Sequence, residues 1–254
     1  MTDAPYADER RFAIEAVVAA ATLTKAVRDD FDPAAEAVSK ADSSPVTVAD
    51  LGAQALVRMA MVEALPGDGL MGEEDFGSLA ESTELAEAVM WRVQAQRPEV
   101  TLDNLREALD SCDDPAGPRR RWWTLDPVDG TKGFLRNEQY AIALALVEDG
   151  QVVVGVMGCP NLPYRGEPGA PDAGSPTGAL FVAVRGQGTR MMPLFEASPE
   201  TAGEPVRVAA PASTSEARYA ESVEAAHSDQ SEAARIGAAL GITTEPVRLD
   251  SQTK

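Results

Sequence analysis

The chain has 254 residues, 44% of them hydrophobic, which is enough to bury one large core or two modest ones. Its formal net charge of −19 at pH 7 argues against a nucleic-acid backbone or an anionic membrane as partner, since both would be repelled. A small anionic ligand is still compatible with this charge, because a bound metal ion can invert the local field.

The cysteine count and the absence of long apolar runs indicate the compartment. Cys112 and Cys159 are the two cysteines, and they show neither metal-ligand spacing nor a disulfide framework. The N-terminal segment MTDAPYADERRF is acidic and polar, unlike a secretory signal. No apolar run approaches the roughly 20 residues that a membrane span needs. We therefore expect a cytoplasmic protein that uses neither a membrane nor a nucleic acid as partner.

The first half of the chain reads as mostly helical. Residues 8–31 are rich in alanine and predict a buried helix, which Pro33 helps to end. A polar loop, SKADSSPVT, leads to a second predicted helix, ADLGAQALVRMAMVEAL, whose apolar residues recur at helical spacing. The segment LMGEED predicts a short strand running into acidic residues. Residues 78–121 are predicted to be helical and polar, with a break at DDPAGP.

The second half mixes strands with helices. The segment RWWTL predicts a strand, and YAIALALVEDGQVVVGVMGCP predicts a hairpin that turns at Asp149-Gly150. Further predicted strands are ALFVAVRGQGT, EPVRVAA and TEPVRL, with a helix at SEAARIGAAL. This order predicts an α+β domain over residues 1–204 and the start of an α/β domain over residues 205–254.

Four acidic side chains are each expected at the end of a helix or strand, beside a turn. They are Asp50, Glu73, Asp126 and Asp129. Pro127 biases Asp126 toward extended backbone, and Gly130 permits a tight turn after Asp129. Backbone amides around Gly130 and Thr131 would then open a helix, whose N-terminus favours an anion.

Carboxylates beside an anion site are reasonable only if cations lie between them. Hard oxygen ligands without His or Cys favour Mg²⁺ over zinc, so the motif predicts a Mg²⁺-phosphate site. Two simpler interpretations stay open at this point. The segment TVAD could be a capping box with Thr47 as the cap and Asp50 three residues on. Glu73 and Glu74 could be solvated loop charges.

The motifs LDPVDGTKGF, GEE and SPVTVAD together resemble the lithium-sensitive inositol-phosphatase superfamily, and within it the 3'(2'),5'-bisphosphate nucleotidases. The segments MGCPNL, AVRGQGT and LDSQTK follow in family order. The resemblance implies a layered α-β-α-β-α sugar-phosphatase-like fold. It also implies a Mg²⁺-dependent enzyme that removes the 3'-phosphate of adenosine 3',5'-bisphosphate (PAP) to give AMP, in sulfur assimilation, and that also acts on the sulfated form, PAPS. A monomer is expected.

The resemblance also implies roles for individual residues. Glu73, Asp126 and Asp129, with the carbonyl of Val128, would be the metal ligands. Asp50, hydrogen-bonded to the hydroxyl of Thr131, would activate the attacking water. Substrate contacts are expected from the residues around the turn and from three positions near the end of the chain. These substrate-binding residues are Asp129, Gly130, Thr131, His227, Ser251 and Lys254.

One departure from the family qualifies these expectations. Members continue past the LDSQTK segment with a Trp-Asp-x-Ala-Ala-Gly motif, whose Asp is another metal ligand, whereas none of Trp91, Trp122 and Trp123 is followed by Asp. The expectation is therefore a truncated chain with an incomplete C-terminal layer, weak metal binding and slow or no hydrolysis. Inositol polyphosphate 1-phosphatase activity and a non-catalytic metal- or nucleotide-binding remnant are the alternatives.

Overall fold

The computed structural model describes residues 5–31, 45–111, 120–165, 178–223, 230–249 and 251. The helices in these ranges are α1 (Ala7–Asp29), α2 (Pro45–Ala64), α3 (Gly77–Glu81), α4 (Thr83–Gln94), α5 (Leu102–Asp110), α6 (Thr131–Arg136) and α7 (Gln230–Ala239). The strands are β1 (Leu70–Met71), β2 (Arg121–Asp129), β3 (Ala141–Glu148), β4 (Gln151–Cys159), β5 (Ala179–Val184), β6 (Gly188–Pro193), β7 (Glu204–Val206), β8 (Ala220–Glu221) and β9 (Val247–Arg248).

The described strands form a large sheet and a small one. The large sheet has the order β1 to β7, in which β1 pairs with β2 in parallel and the later neighbours pair antiparallel. The small sheet is a parallel pair of β8 and β9. The predicted hairpin is confirmed, because Asp149 and Gly150 join β3 to β4 with φ of 48° and 74°. Both residues take the left-handed backbone that a two-residue turn of this kind requires.

Two long helices cover one face of the large sheet. Helix α1 contacts β3, β4 and β5, while α2 packs along α1 and against β2. Gly52 of α2 lets the helices approach closely, since a Cβ there would lie 3.0 Å from the side chain of Leu23 on α1. Alternate residues of the strands supply the apolar layer beneath the helices. They include Leu144, Leu146, Val154, Val156, Leu180 and Val182, all buried.

The opposite face of the sheet carries mostly small side chains. A groove of about 360 Å³ lies along this face. Its lining residues include Thr124, Asp126, Ala143, Ala145, Gly155, Met157, Phe181 and Ala183. Asp126 at the edge of this groove connects it with the acidic residues described below.

Strand β2 begins at an arginine that compensates three carboxylates. Arg121 binds Glu148 at 2.6 Å, Asp68 at 2.8 Å and Glu9 at 2.9 Å. The indole of the fully buried Trp123 donates a further hydrogen bond to Asp68. These contacts attach α1 and the segment before β1 to the start of β2, and they raise the pKa of the Arg121 guanidinium.

Two element boundaries differ from those predicted. Helix α2 begins at Pro45, inside the segment expected to be a loop, because proline suits the first turn of a helix, where its missing N–H is not needed. Strand β2 continues beyond RWWTL to Asp129, since its pairing with β3 extends past Pro127. The division at residues 204 and 205 stays a prediction, and β7 spans that point as an edge strand of the large sheet.

Over the described ranges, no helix combines the length and the apolar character that crossing a bilayer would require.

Candidate active site

A bulge in β2 brings Asp126 and Asp129 into one neighbourhood. In a regular strand, residues three apart point to opposite faces of the sheet. Here Asp126 pairs with Ala143 and Asp129 pairs with Ala141, so the register shifts by one residue between them. The extra residue of a bulge restores a common side. Consistent with this, the charge of Asp129 contributes to raising the pKa of Asp126.

The turn after Asp129 has the predicted form. Gly130 has φ of 91° and ψ of 44°, a left-handed conformation, and α6 begins at Thr131. The buried side chain of Phe134 anchors this short helix against Tyr140, with ring centroids 5.0 Å apart. Gly130 also has no room for a side chain, because a Cβ there would lie 2.8 Å from the Cβ of Ser251.

Ser251 is therefore a neighbour of the turn despite its distance along the sequence. Its side chain is buried, and its φ is 64°. The sequence interpretation assigned Ser251 to substrate binding, and its place beside Gly130 is compatible with that role. His227 and Lys254, assigned with it, lie outside the described residues.

Asp50 lies within α2 and not at its start, which corrects the sequence interpretation. Because the helix begins at Pro45, both Thr47 and Asp50 are already inside it, and Thr47 is not a capping residue. The side chain of Asp50 is only 8% exposed. The expected hydrogen bond between Asp50 and Thr131 is not formed in this structure, although both residues are described.

The turn after β1 carries Glu73 and Glu74 toward the same region. Glu73 is exposed and Glu74 is half-buried. A side-chain amide on α2 holds the turn, because Gln54 donates from Nε2 to the carbonyl of Glu74 at 2.5 Å and accepts from its N–H at 3.0 Å. Sequence reasoning missed this contact. The signal that could have found it is a polar residue one helical turn after Asp50, in an otherwise apolar stretch.

Burial disfavours the charged forms of several acidic residues here, and repulsion between them adds to the effect. Burial raises the pKa of Asp50 to about 8, and the charges of Glu74, Glu73 and Asp126 add to the shift. Burial likewise raises the pKa of Asp126 to about 6, with contributions from Asp129 and Glu73. The pKa of Glu74 is also raised, by burial and then by Glu73. Five carboxylates from three segments therefore share one electrostatic environment, which we call the acidic cluster. Its members are Asp50, Glu73, Glu74, Asp126 and Asp129.

A divalent cation fits the chemistry of the acidic cluster. The donors are all oxygens, which suit a hard ion such as Mg²⁺, and a cation would offset both the burial and the repulsion that raise these pKa values. Across the described part of the chain, however, no three His, Cys, Asp or Glu side chains already have the arrangement of a metal site. The set of Glu73, Asp126, Val128 and Asp129 as ligands thus stays a prediction.

The chain is similar to known proteins along almost its whole length. Residues 8–253 match the Inositol monophosphatase family. The chain belongs to this family. Among solved structures, an inositol monophosphatase from Zymomonas mobilis aligns with a TM-score of 0.57 and 21% identity, covering 98% of this chain and 70% of that one. CysQ from Bacteroides thetaiotaomicron aligns with a TM-score of 0.57 and 18% identity, over 97% and 74% of the two chains. These structures confirm the layered fold that the resemblance implied.

Characterised members of the family are closer in sequence. The 3'(2'),5'-bisphosphate nucleotidase of Schizosaccharomyces pombe is 40% identical over 97% of this chain and 72% of its own length. The enzyme of the same name from Emericella nidulans is 38% identical over 98% and 75%. That from Oryza sativa is 39% identical over 98% and 72%. The chain thus spans about three quarters of the length of these relatives, and the predicted resemblance to the nucleotidases is confirmed.

Proposed function

We propose that this protein is a metal-dependent phosphohydrolase that removes the 3'-phosphate of PAP to give AMP. The main observation in support is the acidic cluster beside the Gly130 turn, because carboxylates next to the start of a helix are the combination that a phosphate with its counter-cations would need. The similarity to three 3'(2'),5'-bisphosphate nucleotidases supports the choice of substrate. PAPS, which carries the same 3'-phosphate, is a second substrate under this proposal.

Mg²⁺ is the cofactor that the donor set favours. Glu73, Asp126 and Asp129, with the carbonyl of Val128, would hold it, and it would supply positive charge against the phosphoryl oxygens. With a divalent cation in place, the pKa values of Asp50 and Asp126 would fall, so that both carboxylates are ionised near neutral pH.

The protein's own residues then have separable tasks. Asp50 is the proton acceptor for the attacking water, since it is a buried carboxylate on a rigid helix. A hydrogen bond from the hydroxyl of Thr131 would orient its carboxylate, and this bond would have to form when substrate binds. The N–H groups around Gly130 and Thr131 would hold the phosphate, and Ser251 packs against this turn.

Phosphate release from matched substrates tests the proposal. The purified chain, with Mg²⁺, is expected to release phosphate from PAP and to leave AMP as the only nucleotide product. Inositol 1,4-bisphosphate and AMP serve as comparison substrates, and a chelator should abolish release. Faster release from inositol 1,4-bisphosphate would assign the chain to inositol polyphosphate 1-phosphatase activity. Calorimetric binding of PAP without any phosphate release would identify a non-catalytic binding protein.

A further inference from the structure

We propose that Gln54 is a positioning residue that sets the distance between the Glu73–Glu74 turn and Asp50, and thereby the affinity of the acidic cluster for a divalent cation. This inference rests on the proposed function, in that the cluster is taken to bind Mg²⁺. It assigns a task to a residue that is not among the predicted metal ligands or substrate-binding residues.

The amide of Gln54 forms two hydrogen bonds to the Glu73–Glu74 turn. Its Nε2 donates to the carbonyl of Glu74 at 2.5 Å, and its Oε1 accepts from the N–H of the same residue at 3.0 Å. The residue is fully buried, so these bonds form away from competing water. Two bonds from one planar group to the N–H and the carbonyl of a single residue fix both the position and the orientation of the backbone at Glu74. Gln54 thus holds the backbone that carries Glu73 and Glu74.

Gly72 shows how closely the turn approaches Gln54. A Cβ at position 72 would lie 2.4 Å from both Cδ and Oε1 of Gln54, and 2.6 Å from its Nε2. The glycine is required for this approach and not for an unusual backbone conformation, since its φ is not among the positive values. Any side chain at position 72 would push the turn and the amide apart.

Helix α2 carries both Gln54 and Asp50. Residues 50 and 54 are four apart, so their side chains lie on the same face of the helix, one turn from each other. The helix is itself held against α1, where Gly52 contacts Leu23. One rigid helical turn therefore carries a member of the acidic cluster and the amide that positions two others. Burial raises the pKa of Asp50, and the charge of Glu74 raises it further, as expected if the turn and Asp50 are electrostatic neighbours.

Calorimetric titration of the purified chain with Mg²⁺ alone tests the inference. Gln54→Met keeps the length of the side chain and removes both hydrogen bonds. We expect it to weaken Mg²⁺ affinity by about 10–100-fold, the range seen when an outer-shell partner of a metal ligand is lost. At saturating Mg²⁺, release of phosphate from PAP should recover toward the rate of the unmodified chain.

Thr24→Val is the matched control. Thr24 is a fully buried polar residue on α1, and its hydroxyl donates to the carbonyl of Ala21 at 3.1 Å, outside the acidic cluster. This variant should lower the unfolding temperature and leave Mg²⁺ affinity within about twofold. Equal losses of stability in both variants, with unchanged Mg²⁺ affinity in Gln54→Met, would overturn the positioning role alone. Failure of the unmodified chain to bind any divalent cation would overturn the proposed function as well.

A double-mutant cycle tests the contact itself. Gly72→Ala should weaken Mg²⁺ affinity in the natural background, because the new methyl group displaces the amide. In a Gln54→Ala background the added methyl group has room. The loss of Mg²⁺ affinity caused by Gly72→Ala should therefore be at least about tenfold smaller in this background than in the natural one. Additive effects of the two substitutions would contradict the proposed contact.

Discussion

The two ends of strand β2 differ in the surroundings of their carboxylates. At the first residue, Arg121 bonds to three carboxylates at 2.6–2.9 Å. At the last residues, Asp126 and Asp129 face other carboxylates, and burial together with those charges raises the pKa of Asp126. Carboxylates near the start of the strand are thus neutralised by Arg121. Carboxylates near its end lie close to one another, and the fold keeps them there despite their repulsion.

We infer from this difference that the carboxylates around Arg121 stabilise the fold, whereas those of the acidic cluster serve to bind a cation. A compensated group lowers the free energy of the folded chain by itself. A repelling group raises that free energy, and the rest of the fold must offset the cost. Removing a charge should therefore have opposite effects on stability at the two ends, which gives the comparison a direct test.

The largest effect is expected at the repelling end. Asp126→Asn should lower kcat/KM for PAP by about 10³-fold or more, because several kcal/mol of transition-state stabilisation depend on a bound metal ion. Its unfolding temperature should stay constant or rise, since one repelling charge is gone. Phosphate-release kinetics and thermal unfolding in a chelator measure the two quantities.

Asp149→Asn is the matched control for this substitution. Asp149 lies in the turn after β3, and its carboxylate pairs with Arg120 at the surface. Asparagine tolerates the left-handed backbone of this position, so the variant should keep its activity and lose little stability. A clear loss of stability in Asp126→Asn would show that the acidic cluster is not held against repulsion.

The compensated end should show the reverse pattern. Arg121→Met leaves Glu9, Asp68 and Glu148 without their shared cation, and we expect a loss of about 2–4 kcal/mol. The value lies below that for a fully buried pair because the Arg121 side chain is 29% exposed. Urea denaturation measures the loss. Arg120→Met is the neighbouring control, and its loss should be much smaller than that of Arg121→Met because its ion pair with Asp149 is exposed to solvent.

Mg²⁺ itself should act on only one end of the strand. At a concentration 100-fold above its dissociation constant, a bound ion stabilises the folded chain by about 2.7 kcal/mol. We expect this gain in the unmodified chain and in Arg121→Met, and most of it should disappear in Asp126→Asn. Thermal unfolding with Mg²⁺ and with a chelator compares the three proteins. An equal response in all three would place the cation outside the acidic cluster.

The sequence was sufficient for the motif and not for its surroundings. Pro127, Gly130 and the spacing of the acids predicted a turn that opens a helix, because these residues restrict the backbone locally. The bulge that brings Asp126 and Asp129 to one side depends on pairing with β3, which local patterns do not encode. The start of α2 at Pro45 was missed because a proline that follows a polar stretch is equally typical of a loop.

Long-range contacts account for the other omissions. The grip of Gln54 on Glu74 joins residues 20 positions apart, and no single-residue preference indicates it. Ser251 was placed near the substrate by family resemblance alone, and its packing against Gly130 became visible only in the fold. Sequence therefore identified the chemical groups, while tertiary structure determined which groups act on one another.

The smallest effect is expected for an ion pair that is exposed to solvent. Glu63 accepts two hydrogen bonds of 2.7 Å from Arg97, but its side chain is 63% exposed. The pair lowers the pKa of Glu63. Glu63→Gln should cost less than about 1 kcal/mol near neutral pH, well below the loss in Arg121→Met, because solvent screens the exposed charges.

The pH dependence of this small loss has a defined sign. Because the pKa of Glu63 is lower in the folded chain, the unfolded chain takes up the proton first as the pH falls. The stabilisation is therefore present above the unfolded pKa of about 4.3 and is lost as the pH drops through the folded value. Urea denaturation of both proteins at pH 7 and at decreasing pH should show the curves converging in acid. A difference that persists in strong acid would mean that Glu63 stabilises the fold through packing and not through its charge.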